Sequence, residues 1–141
     1  MPYTEGISHF LIYFCMNTKA MEWVLRIAVA GEFFGHGILA YNGKEQWVIW
    51  IQELMKVEQG TAMTLLTLIG LMDIILALII LVKPIRIALL WMAFWGLWTA
   101  LVRPIMGESI WDFVERWANW GAPLALLLLL PRARGFRQWF S

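Results

Sequence analysis

A single apolar run constrains this chain more than any other feature: residues 61–82 contain one charged side chain, Asp73, in 22 positions. A helix of that length, rising about 1.5 Å per residue, covers the roughly 30 Å hydrocarbon core of a bilayer. Because backbone N–H and C=O groups cannot stay unsatisfied in lipid, such a run is expected to be helical. The sequence therefore predicts a helix that crosses a membrane.

Three further segments are apolar and approach the same length: residues 21–41, 85–102 and 110–130. The composition agrees, since 61% of the residues are hydrophobic and only 15% are charged, whereas about a quarter are charged in a soluble domain. A chain of 141 residues cannot hide that much apolar surface in a water-soluble interior. We therefore predict an all-α integral membrane protein, a single domain formed by a bundle of four transmembrane helices.

The loop between the first two spans, residues 42–60, has a different pattern. Trp47, Ile51 and Leu54 recur at helical spacing among polar residues, which indicates a short amphipathic helix at the membrane interface. Basic residues are concentrated at the opposite ends of the spans and in the tail, residues 131–141. Because cytoplasmic ends carry an excess of Lys and Arg, we expect both termini inside and the 42–60 loop outside.

Several classes of site are disfavoured by what the sequence lacks. The net charge of +1 gives no reason to expect a nucleic-acid partner; membrane lipid is the expected surrounding. Cys15, the single cysteine, cannot form an internal disulfide or a cysteine-based zinc site. His36 is the only histidine within a predicted span, and a bis-histidine haem would also need His9. We therefore predict no metal site and no covalently bound cofactor.

Ionisable side chains inside the spans are the strongest functional signal, because each costs roughly 2.5–3.5 kcal/mol to insert and usually faces the bundle interior. Glu32 and His36 are four residues apart on one face of the first span, so Glu32 is expected to orient the imidazole. Asp73 lies near the middle of the second span. Arg26 is its best candidate counter-ion.

The fourth span has polar residues in its first half and an apolar second half. On a continuous helix, five of its side chains fall within about 100° of arc: Asp112, Glu115, Arg116, Asn119 and Pro123. This stripe is expected to face Glu32 and His36, with Arg103 at the same end. Two interpretations stay open: a polar pocket that opens outward, or an ion-pair network that locks the helices together without a ligand.

One face of the third span carries Trp91, Trp95 and Trp98 at helical spacing. Packing between helices or contact with lipid is the favoured interpretation of this face. A lining for an apolar ligand such as a quinone is the second interpretation.

Short motifs in this chain resemble the DoxX-like family of small four-helix membrane proteins. The likeness lies in His36 between glycines, Gly70 with Asp73, Arg103-Pro104, and the "ERWANWGAP" segment that starts at Glu115. The resemblance covers roughly residues 25–130. It implies a four-helix bundle in a bacterial or archaeal cytoplasmic membrane, in a family that includes the membrane subunit of a thiosulfate:quinone oxidoreductase.

Two functions from different classes follow as hypotheses. In the first, the chain is a quinone-linked redox subunit of a membrane oxidoreductase: His36 bonds a quinone carbonyl, Glu32 orients it, and Arg116 and Arg103 stabilise negative charge. Asp73, Asp112, Glu115 and Asn119 complete the candidate ligand-binding set. In the second, the chain is a non-catalytic accessory subunit that docks with other membrane-protein subunits or with copies of itself. A small transporter is disfavoured because no internal repeat is visible.

Overall fold

The protein is represented by a computed structural model that describes residues 3–140, with side chains from residue 18 onward. The side chains of His9 and Cys15 therefore lie outside the described residues. All regular structure in this range is helical, which confirms the all-α prediction for the described part of the chain. The helices are α1 (Tyr3–Tyr41), α2 (Glu45–Met55), α3 (Gln59–Val82), α4 (Arg86–Ile105), α5 (Ile110–Val114) and α6 (Trp117–Leu129), followed by a 3-10 turn at Phe136–Trp139.

Among the described residues, three helices are long and apolar enough to cross a membrane. They are the Thr18–Tyr41 part of α1, all of α3 and all of α4, with 24, 24 and 20 residues. They correspond to the first three predicted spans, and α2 confirms a short helix between the first two.

The prediction of one continuous helix over residues 110–130 is wrong. The helix breaks at Glu115 and Arg116, where Arg116 adopts φ −98° and ψ 14°. In an α-helix the N–H of Arg116 would bond to the carbonyl of Asp112. Here the Arg116 guanidinium donates a hydrogen bond to the Asp112 carbonyl at 3.2 Å. The backbone N–H of Arg116 donates instead to Phe113 O, also at 3.2 Å. The side chain of Arg116 has thus replaced its backbone N–H as the donor to Asp112 O. The helix after the break, α6, has 13 residues.

Two close backbone contacts hold the bundle together. A Cβ on Gly37 of α1 would lie 2.8 Å from the carbonyl oxygen of Gly70 on α3, so only glycine fits at this crossing. On α4, a Cβ on Gly96 would collide with the carbonyl of Asn119 in α6. Pro123 has no N–H to bond to that carbonyl, which leaves it free to lie against Gly96.

Arg26 does not pair with Asp73, so the predicted counter-ion is wrong. Its Nε donates to Ile80 O at 3.0 Å, and its Nη2 donates to Leu81 O. The last carbonyls of a helix have no intrahelical partner, and Arg26 satisfies two of those of α3. Asp73 therefore has no ion pair with Arg26.

Candidate functional site

A cavity of about 230 Å³ lies between α1, α2, α3 and α4, and Arg116 at the start of α6 also reaches it. Most of its lining is aliphatic or aromatic, with a few polar side chains at fixed positions. The lining residues are His36, Ala40, Trp47, Trp50, Ile51, Leu54, Met55, Leu66, Ile69, Asp73, Trp95, Trp98, Thr99, Val102, Arg103 and Arg116.

Four of the eight residues predicted to form the site line this single cavity: His36, Asp73, Arg103 and Arg116. The crossing of α1 and α3 explains two of them. His36 precedes Gly37, and Asp73 lies one turn after Gly70, so the contact between the two glycines brings both side chains to the same place. The contact between Gly37 and Gly70 therefore explains both the close packing of α1 on α3 and the position of these two polar side chains.

Asp73 is the most buried charged residue of the site, with 3% of its surface exposed. The Trp95 indole interacts with its carboxyl group as a hydrogen-bond donor. Its Oδ1 atom, however, has no hydrogen-bond partner among the described residues. Glu32 is close enough to repel it electrostatically, and no described cation forms an ion pair with Asp73.

His36 is surrounded by an aromatic ring and by cations. Its imidazole meets the Trp47 indole edge to face, with ring centroids 5.6 Å apart and an interplanar angle of 80°. The positive charges of Arg116, Arg103 and Lys44 act on it. Such a ring can donate one hydrogen bond and accept another, which suits it to a ligand with polar atoms.

Glu32 does not hydrogen-bond to His36 in the described structure, although helical spacing places them on one face. Its electrostatic partner is Arg116, whose positive charge favours the carboxylate against the cost of its burial, and Glu32 also acts on Asp73. Helical spacing fixes where two Cβ atoms lie but not where flexible side chains end. The Glu32 side chain does not line the cavity.

Arg103 links three elements at one end of the cavity. Its Nη1 lies 3.1 Å from Glu108 Oε2, and its guanidinium lies 5.4 Å from the centroid of the Trp50 ring. Gln46 of α2 donates to the other oxygen of Glu108. One carboxylate thus joins α2, α4 and the loop before α5.

The predicted polar stripe of the fourth span is not formed. Arg116 reaches the cavity, but its ion-pair partner Glu115 keeps 60% of its side chain exposed. Asp112 and Asn119 do not line the cavity either, and Asn119 is buried against α4. The reason is the break at Arg116, because a count of 100° per residue holds only along an uninterrupted helix.

Four tryptophans form the aromatic part of the lining: Trp47, Trp50, Trp95 and Trp98. Packing or lipid contact was the favoured interpretation for the face with Trp95 and Trp98. The structure shows both at the cavity, with Trp95 also packed against the core and Trp98 43% exposed. Trp91 stacks on Trp95 with centroids 5.9 Å apart and 41% of its own surface exposed. The sequence signal for this part of the lining was the turn-spaced pair Trp47 and Trp50 on the apolar side of α2.

Within residues 18–140, no three His, Cys, Asp or Glu side chains lie together in the way that metal ligands do. Comparison of the chain with known protein families, with curated proteins and with solved structures finds no match.

Proposed function

We propose that this chain is a DoxX-like integral membrane protein that binds a quinone in the cavity and serves as a quinone-linked redox subunit of a membrane oxidoreductase. The observation that carries the proposal is the lining itself. Four indole rings surround a space that also meets an imidazole, a carboxyl group and two guanidinium groups. Ligand sites of this kind are mostly apolar, with a few polar groups that fix orientation.

The outer faces of the long helices support a membrane location. Their large apolar side chains are more than half exposed in the isolated chain, which suits contact with lipid and not with water: Val24, Ile27, Leu68, Leu78, Val82 and Phe94. In this proposal α5 and α6 together make the fourth crossing. A broken helix is tolerated at membrane depth where it is packed against protein, and α6 packs on α4 through Gly96.

The distribution of charge supports an orientation with both termini in the cytoplasm of a bacterial or archaeal cell. Arg86 at the start of α4 donates to the carbonyls of Pro131 and Gln138, which holds the basic tail at that end of the bundle. Lys83 lies beside it and the tail adds Arg132, Arg134 and Arg137, whereas the α2 end carries fewer basic residues, namely Lys44, Lys56 and Arg103. An excess of basic residues marks cytoplasmic ends.

Each polar side chain has a distinct role toward a quinone. His36 donates a hydrogen bond to one ring carbonyl and exchanges a proton there. Arg116 and Arg103 stabilise the negative charge that develops on the ring oxygens during reduction. Electrons reach the quinone from a flavin or haem on a partner subunit, because side chains do not supply such chemistry.

Quinone binding can be measured through the tryptophans of the cavity. We expect decylubiquinone to quench their fluorescence saturably in purified protein in mild detergent. His36→Ala and Arg116→Ala should each weaken binding about tenfold or more, since each removes a hydrogen bond or charge contact in a site of low polarity. Arg137→Ala, in the exposed tail, is the matched control and should bind normally. Full binding by both cavity variants would show that the proposal is wrong.

A non-catalytic accessory subunit is the second candidate, and the outer face of α4 favours it. Trp91, Phe94 and Trp98 are each at least 41% exposed along this face, and exposed aromatic rows are common at protein interfaces. Purification in mild detergent separates the two functions. A co-purifying subunit whose activity survives His36→Ala would assign the accessory role, and a self-associated chain would place the interface between copies.

A further inference from the structure

The C-terminal tail is held against one end of the bundle by its own hydrogen bonds. Arg86, the first residue of α4, donates to Pro131 O and, at 2.8 Å, to Gln138 O. The backbone N–H of Arg134 donates to the Gln138 side chain at 2.7 Å. The tail is thereby fixed where α3 and α6 end and α4 begins.

Exposed apolar surface continues from the helices into this tail. Val82, the last residue of α3, is 84% exposed, and Leu128, in the last turn of α6, is 83% exposed. Phe136 and Phe140 of the tail are 79% and 55% exposed, with ring centroids 5.2 Å apart. Exposed aromatic rings next to basic side chains are typical of segments that lie at a membrane interface.

The same end of the bundle carries positive charge that the described residues do not neutralise. Glu22 is the only described carboxylate at this end, and it is paired with Arg26 at 3.5 Å. Four exposed basic side chains have no ion pair with a described residue: Lys83, Arg132, Arg134 and Arg137. These charges are therefore available to an anionic partner outside the chain.

We propose that the tail and Lys83 form a docking surface for anionic phospholipid headgroups, with Phe136 and Phe140 inserted among the lipids of the same leaflet. The exposed rings, directly beyond the apolar side chains of α3 and α6, favour a lipid surface over an acidic protein partner. Each basic residue near an anionic leaflet strengthens attraction roughly fivefold. The inference rests on the proposed membrane location and concerns a surface apart from the cavity, so quinone binding neither supports nor contradicts it.

The test uses the full-length protein in nanodiscs of phosphatidylcholine alone, or of phosphatidylcholine and phosphatidylglycerol in equal parts. Hydrogen–deuterium exchange detected by mass spectrometry follows the amides of residues 132–140. Docking on anionic headgroups protects these amides, so phosphatidylglycerol should slow their exchange about fivefold or more. Arg132→Gln combined with Arg134→Gln should remove most of that difference. Both side chains are exposed, so the double variant keeps its fold.

Helix α2 is the internal control, because both leaflets of a nanodisc contain phosphatidylglycerol and exchange across Glu45–Met55 should stay the same. Lys56→Gln, which removes an exposed charge next to α2, is the matched control variant and should keep the wild-type response of the tail. Equal tail exchange in the two nanodiscs, an equal effect at α2, or a wild-type response in the double variant would overturn the inference. Slower tail exchange on addition of glycerol phosphate to phosphatidylcholine nanodiscs would also overturn it, because the partner would then be a soluble phosphate.

Discussion

The smallest residues of the bundle set its geometry at the residue scale. Gly37 and Gly70 meet where α1 crosses α3, and the side chains beside them, His36 and Asp73, reach the cavity as a result. Gly35 lies two positions from Gly37, yet a Cβ there would have nothing within 4 Å. Two glycines of one helix therefore have different structural roles.

Gly37→Ala is expected to destabilise the protein by about 1–3 kcal/mol, because the added methyl group meets the backbone of α3 and the helices must separate. Gly35→Ala is the control on the same helix. It should be neutral or stabilising, since alanine favours helices and the space is open. Thermal unfolding in detergent, followed by circular dichroism, measures both. Equal midpoints for the two variants would contradict the close crossing.

Sequence reasoning at this scale identified which residues matter better than it identified their partners. His36, Asp73, Arg103 and Arg116 stood out because charge is costly in an apolar segment, and all four line the cavity. The counter-ion predicted for Asp73 was Arg26. The free carbonyls at the end of α3 compete for that guanidinium, and such competition depends on where a neighbouring helix ends.

At the scale of elements, α2 is the part of the bundle that completes the cavity. It supplies five lining residues, namely Trp47, Trp50, Ile51, Leu54 and Met55. Its apolar side packs on α3, with Val48 buried against Ala62 and Leu66. Beyond that packing, Gln46 binds the carboxylate of Glu108, which also binds Arg103.

Glu108→Ala should loosen α2, because it removes the acceptor of Gln46 and leaves Arg103, 8% exposed, without an anionic partner. We expect amide exchange across Glu45–Met55 to accelerate about tenfold or more, as for loss of a charged hydrogen bond. Hydrogen–deuterium exchange detected by mass spectrometry measures this directly. Glu53→Ala, an exposed glutamate on α2 itself, is the control and should leave exchange unchanged. Unaltered exchange in Glu108→Ala would show that packing alone holds α2.

The helices that follow from apolar composition could be predicted, and the break in the fourth could not. Residues 61–82 and 85–102 correspond to α3 and α4 within three residues at each end, because a long apolar run has few alternatives. The break before α6 arises when Arg116 takes the carbonyl of Asp112. Nothing in the periodicity of Asp112, Glu115, Arg116 and Asn119 signals that competition between a side chain and the backbone.

At the scale of the whole molecule, the proposed four crossings place both termini on one side and α2 on the other. The test uses single cysteines introduced by Glu53→Cys and Arg134→Cys in a Cys15→Ser background. A maleimide that cannot cross membranes should label Glu53→Cys in intact cells. It should label Arg134→Cys only after the cells are opened. Labelling of both positions from the same side would contradict the number of crossings, and exchanged labelling would reverse the orientation.

The shared carboxylate of Glu108 also has a kinetic consequence. In the proposed function, a quinone that leaves past α2 would have to break the Gln46–Glu108 contact. Loosening of α2 in Glu108→Ala would then speed departure and shorten the dwell time of the quinone. One surface carboxylate would thereby set how long a molecule stays in the cavity.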